Sequence, residues 1–103
     1  MIRGGASESL EDDGRGGDVE ISGGLSTSLS GGSLFLSSGG SAGSSGEVLI
    51  RTETSGVSGV SGQILLQTGS SCDGDSGAVT MVSGQAKGGA GGDIQVLVGR
   101  KRR

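Results

Sequence analysis

The sequence repeats itself with a period of about fifteen residues. Six short segments each begin with a glycine and place apolar residues at alternate positions: GDVEIS, GSLFLS, GEVLIR, GQILLQ, GAVTMV and GDIQVL. We call these glycines the lead glycines; they are Gly17, Gly32, Gly46, Gly62, Gly77 and Gly92, spaced 15, 14, 16, 15 and 15 residues apart. A short fixed period is typical of solenoids, in which each repeat forms one coil that stacks on its neighbours.

The five residues after each lead glycine form what we call an aliphatic segment. The residues two and four positions after the lead glycine are apolar in all six: Val19 and Ile21, Leu34 and Leu36, Val48 and Ile50, Ile64 and Leu66, Val79 and Met81, Ile94 and Val96. Because side chains alternate faces along a strand, each pair is expected to point the same way. We therefore predict an all-β fold, a single β-solenoid (parallel β-helix) of about six coils with a 15-residue repeat.

The loops between the segments are rich in Gly and Ser, and Gly makes up 25 of the 103 residues. Glycine tolerates positive φ, so we expect these loops to turn tightly at the corners of the coils. The alternative is a flexible Gly/Ser linker. A linker has no reason to repeat paired aliphatic residues in phase, so we favour the solenoid.

Charged residues mark the two ends of the chain. We predict an acidic N-terminal cap or extension over residues 1–16, solenoid repeats over 17–99, and a basic tail over 100–103. Glu11, Asp12 and Asp13 precede the first segment, and the last is followed by four basic residues: Arg100, Lys101, Arg102 and Arg103. Head-to-tail stacking would bring the opposite charges together and could build a filament. Alternatively, the charges keep both ends soluble.

The middle residue of each segment, three positions after the lead glycine, should face outward. In three consecutive repeats it is apolar: Phe35, Leu49 and Leu65. We call these three the apolar stripe. A contiguous apolar patch often marks an interface, so we predict that the stripe mediates lateral self-association or is covered by another segment. The alternative is that these side chains are buried within a broader coil.

The chain offers little chemistry. It has no His, Trp, Tyr or Pro, so it lacks a Ser-His-Asp or Cys-His nucleophile and any imidazole metal ligand. Cys72 has no partner for an internal disulfide, and Asp73-Gly74-Asp75 does not match a calcium-binding loop. We predict no enzymatic activity, cofactor or metal. A net charge of -3 and a pI near 4.7 argue against nucleic-acid binding.

No apolar run approaches the eighteen residues that a membrane span requires, and Met1 to Leu10 contains no signal-like stretch. A solenoid with a flat repetitive face could also bind ice, a mineral or a polysaccharide. Thr52 and Thr54 are the only such pair of threonines, so no regular Thr row forms for ice.

Three stretches resemble the Gly/Ser-rich solenoid repeats of large proteins from diatoms and related algae: GGDVEISGGLSTSLSGGSLFLSSG, SSGEVLIRTETSGVSGVSGQILLQTGSS and CDGDSGAVTMVSGQAKGGAGGDIQVLVG. The resemblance implies one repeat block of a long structural protein, extracellular or at the cell surface. We expect a self-associating module of a fibre or surface layer, with itself as partner; the alternative is a module that binds ice, mineral or polysaccharide surfaces.

Overall fold

The computed structural model describes residues 1–8 and 14–101 of the chain. None of these residues belongs to a helix or a β-strand. The predicted all-β solenoid, or β-helix, of about six coils is therefore wrong for the single chain. The aliphatic segments run without a bend, but in the described residues they do not join into a sheet.

The absence of a core in the described residues gives the physical reason. The chain has an accessible surface of 10842 Å². A compact protein of 9.9 kDa would expose about 5,200 Å², and a fully extended one about 14,400 Å². Each repeat supplies only two paired aliphatic side chains, and the intervening Gly and Ser residues add little apolar area. Because glycine also loses more conformational freedom on folding than any other residue, stacking is poorly compensated within one copy.

The repeat is nevertheless visible as a series of bends in the loops. The bends span residues 27–29, 42–43, 57–59, 72–74 and 87–89. Their first residues are fifteen positions apart, which is the average spacing of the lead glycines. The bend at 57–59 also contains a tight turn, in which the Gly59 amide donates to the Gly56 carbonyl oxygen over 3.4 Å. Each repeat thus consists of an aliphatic segment followed by a bent loop.

The chain divides into two units, Met1–Ile50 and Arg51–Arg103. The division falls inside the predicted repeat region 17–99, whose own bounds remain a prediction. We call the place where the two ends of a loop meet its loop base. In the first unit the loop bases are closed by backbone hydrogen bonds from the Gly17 amide to the Gly5 carbonyl (2.6 Å), from Gly32 to Gly24 (2.8 Å) and from Gly46 to Gly39 (2.9 Å).

Glycine allows the close approach at the first unit's loop bases. A Cβ atom placed on Gly23 would lie 2.6 Å from the Gly32 carbonyl oxygen, and one on Gly32 would lie 2.9 Å from the Gly24 nitrogen. Both distances are shorter than side chains permit. The expected role of glycine, positive φ at the corners, holds in the described residues only for Gly14, with φ 56°. In this unit glycine permits close backbone approach at the bases formed by Gly17 and Gly32, whereas a Cβ on Gly46 would meet its nearest neighbour at 3.5 Å, an ordinary contact distance.

In the second unit the loop ends meet through looser contacts. A Cβ atom on Gly62 would lie 3.5 Å from the Thr52 methyl carbon, and one on Gly77 would lie 3.9 Å from that of Thr68. One on Gly91 would lie 3.3 Å from the Gly84 carbonyl oxygen. No backbone hydrogen bond closes these bases in the described part of this unit. The loops still return to their starting points, as in compact surface loops whose ends lie close together.

Candidate assembly surface

All three residues of the apolar stripe are exposed. Phe35 and Leu49 lie in the first unit, with 89% and 72% of their surface accessible, and Leu65 lies in the second, with 67% accessible. No residue in the described part of the chain is buried, so the alternative that the stripe fills a broad coil does not apply to the single copy. Each of the three side chains is accessible to another molecule, and their joint role as an interface remains a prediction.

The two positions predicted to face inward differ from each other. The residue two places after the lead glycine is the least exposed large apolar residue of every segment, at between 50% and 60%: Val19, Leu34, Val48, Ile64, Val79 and Ile94. The residue four places after the lead glycine was expected to be shielded from solvent to the same extent. Leu36, Leu66 and Val96 are instead 70%, 74% and 80% exposed. Ile21 and Met81, at 55% and 60%, are shielded like their partners, so partial shielding reaches both positions in two pairs and only the first position in the other four, and neither position forms a core.

The serines at the bends form a set that the sequence analysis missed. Four serines occupy the same place, nine residues after a lead glycine: Ser26, Ser41, Ser55 and Ser71. Ser26 Oγ accepts hydrogen bonds from the amides of Ser28 (3.4 Å) and Leu29 (3.3 Å). Ser41 Oγ accepts from Gly43 N–H (3.0 Å), and Ser71 Oγ from Gly74 N–H (3.2 Å). A short polar side chain that bonds the backbone just after it is a common way to hold a turn.

The two remaining repeats vary this arrangement. The Ser55 hydroxyl is placed to donate to the carbonyl oxygens of Gly56 (3.2 Å) and Gly59 (3.4 Å). It therefore holds the tight turn as a hydrogen-bond donor, whereas the other three serines act as acceptors. In the last loop the equivalent residue is Ala86, which has no hydroxyl. The nine-residue spacing from each lead glycine was the signal that could have revealed this row from the sequence.

The charged ends are only partly described. Arg100 and Lys101 are exposed, whereas Glu11, Asp12, Asp13, Arg102 and Arg103 lie outside the described residues. The structure therefore does not test head-to-tail pairing. The one ion pair in the described part of the chain joins Arg51 and Glu53 at 3.4 Å, with side chains 66% and 82% exposed. An exposed pair of this kind contributes little to stability.

The groups that could carry other chemistry are isolated. Cys72 is an exposed free thiol at the bend over 72–74. The residues that the structure describes contain no group of three or more His, Cys, Asp or Glu side chains arranged to hold a metal. Within the same residues, no helix has the length and apolarity needed to cross a membrane.

The comparisons with known proteins contribute no relative. No family model matches the chain, and neither a curated protein nor a solved structure is similar to it. The resemblance to algal repeat proteins remains an expectation from the sequence.

Proposed function

We propose that this chain is a structural, non-catalytic module that associates with further copies of itself in a fibre or surface layer. The observation that carries the proposal is the exposure of the repeated aliphatic residues. In all six segments the large apolar side chains are at least half exposed, and the described residues contain no core that could accept them. Burying apolar surface is the main favourable term in protein association, so these residues supply a driving force that the single copy leaves unused.

The proposed contacts use the sites predicted from the sequence. The apolar stripe of Phe35, Leu49 and Leu65 provides lateral contact. Opposite charges at the two ends, Glu11 to Asp13 and Arg100 to Arg103, favour axial contact through long-range attraction. The resemblance to algal repeat proteins supports an extracellular or cell-surface setting.

The surface-binding alternative gains no support. A flat face for ice, mineral or polysaccharide needs side chains at fixed spacing on a sheet, and no strand lies in the described residues.

Sedimentation of the intact chain over a wide range of concentrations tests the proposal. We expect the mass to rise above 9.9 kDa with concentration. We expect the double variant Leu49→Ser, Leu65→Ser to need at least tenfold more protein for the same association, since each leucine loses about 1.5–3 kcal/mol of burial.

The matched control is Leu25→Ser, Leu29→Ser, which removes two leucines from a loop where they are more than 90% exposed. It should associate like the parent. A chain that remains at 9.9 kDa at all concentrations and salt levels would overturn the proposal. Equal loss in both double variants would show that general hydrophobicity, rather than the stripe, drives association.

A further inference from the structure

The backbone of the aliphatic segments has no hydrogen-bond partner in the described chain. The four backbone hydrogen bonds among the described residues all lie at loop bases or in the turn at Gly56 to Gly59. The segments 18–22, 33–37, 47–51, 63–67, 78–82 and 93–97 contribute neither a donor nor an acceptor to them. Since the chain contains no Pro, every residue in these segments keeps its amide donor. Each segment therefore presents a full row of donors and acceptors.

From this arrangement we infer that the aliphatic segments are the pairing edges of the assembly: each lies beside an aliphatic segment of a second copy and forms a backbone ladder with it. The inference rests on the proposed self-association and specifies how the copies meet. Unpaired strand-forming edges readily recruit a further chain, and main-chain hydrogen bonds then add to side-chain burial. Such pairing between copies differs from a solenoid, in which the coils of one copy would pair with each other.

A second copy fits these edges because the segments match one another. All six have five residues after a glycine, an apolar residue at the second and fourth of the positions that follow it, and nearly constant spacing. A copy that pairs one segment can therefore pair others at the same register or at a register shifted by whole repeats. An unrelated protein would need the same fifteen-residue period to do so.

The exposed area is also sufficient for such an interface. The chain exposes 10842 Å², about 5,600 Å² more than a compact protein of its mass. Obligate homodimers bury about 2,000–5,000 Å² in total over both partners. A stable pair therefore needs only part of the surface that each copy leaves uncovered.

A proline scan on the full chain tests the ladder. Val48→Pro removes one amide donor from a segment and keeps an apolar side chain, and we expect it to weaken association at least tenfold, or about 1.4 kcal/mol. Val60→Pro is the control, because Val60 lies in a loop and its amide donates no hydrogen bond to the residues that the structure describes. Val48→Ala distinguishes the contribution of the side chain to association from that of the backbone, because it shortens the side chain and keeps the amide. We expect it to weaken association less than Val48→Pro.

Infrared spectroscopy of the parent should show the β-sheet amide band rising with concentration in step with the sedimenting mass. The ladder is overturned if the mass rises without that band, if Val48→Pro associates like Val60→Pro, or if Val48→Ala weakens association as much as Val48→Pro. These results leave self-association intact. A parent chain that never gains mass overturns self-association itself and the ladder with it.

Discussion

The two units build the same loop in two different ways. In Met1–Ile50 the loop bases are closed by backbone hydrogen bonds of 2.6–2.9 Å, whereas in Arg51–Arg103 the loop ends touch without such a bond in the described residues. The residue six positions after the lead glycine differs between the closed loops of the first unit and two of the open loops of the second. It is Gly23 or Ser38 in the first unit and Thr52 or Thr68 in the first two loops of the second. The third loop of the second unit has Ser83 at this position and is not closed by a backbone hydrogen bond in the described residues either, so bulk at this position distinguishes only the two threonine loops.

Ser38 shows that a side chain by itself does not prevent closure. Its hydroxyl donates to the Gly46 carbonyl oxygen at 2.8 Å, beside the backbone bond from Gly46 to Gly39. The threonines carry the same hydroxyl and an additional methyl group, and that methyl is the atom nearest to where a Cβ on the facing glycine would lie. β-Branching also restricts the side chain to fewer rotamers. The extra methyl therefore distinguishes the two threonine loops from the Ser38 loop, but it does not account for the open base of the Ser83 loop, which lacks that methyl.

The largest effect is expected from opening a closed loop base. Gly23→Ala places a methyl group 2.6 Å from the Gly32 carbonyl oxygen, so the loop ends must move apart and the Gly32 to Gly24 hydrogen bond is lost. A hydrogen bond worth about 1 kcal/mol corresponds to about a fivefold fall in protection of the Gly32 amide, measured by hydrogen exchange. Gly24→Ala is the neighbouring control, because its added Cβ meets nothing within 4 Å. Equal falls in the two variants would contradict steric closure at Gly23.

A smaller effect is expected from converting an open loop base toward the closed type. Thr68→Ser removes the methyl group that lies 3.9 Å from the Cβ position of Gly77. The Gly77 amide should then gain protection from exchange by about two- to threefold, because an exposed hydrogen bond at the weak end of the usual range contributes about 0.5–0.65 kcal/mol. Thr80→Ser provides the same chemical change within an aliphatic segment and should leave Gly77 unaffected. An unchanged Gly77 amide in Thr68→Ser would show that the methyl is not what keeps this base open.

The period of the chain was more predictable than its structure. Glycine spacing and paired aliphatics depend on local sequence, and the bends at 27, 42, 57, 72 and 87 recur at the interval that the lead glycines show. Stacking depends instead on a balance of free energies. Burial of two aliphatic side chains in each repeat would have to offset the conformational entropy that is lost when a long Gly/Ser loop becomes ordered. Periodicity carries no information on that balance, and the predicted strands and solenoid were wrong.

For the candidate surface, too, features set by neighbouring residues were predictable from the sequence, whereas contacts between distant residues were not. Alternation placed Phe35, Leu49 and Leu65 at outward positions, and they are exposed, but so are their neighbours, since no core forms in the described residues to distinguish the two faces. The loop bases were missed because contact between residues such as Gly24 and Gly32 depends on how the chain returns on itself. The serine row could have been found by aligning the loops on their lead glycines.

The smallest effect concerns the serine that holds each bend, and it runs in opposite directions in two neighbouring loops. Ser71→Ala removes the oxygen that accepts from the Gly74 amide at 3.2 Å, so we expect about a twofold fall in protection of that amide. Ala86→Ser supplies a hydroxyl at the equivalent position of the next loop, and should raise protection at Gly88 or Gly89 by a similar factor. Ser70→Ala, next to the first site, is the control, because Ser70 makes no hydrogen bond with any of the described residues. Ala86→Ser could have no effect on amide protection while Ser71→Ala lowers it. In that case the hydroxyl holds a bend only where the amides that follow already point toward it, and the glycines at 88 and 89 do not place their amides in this way.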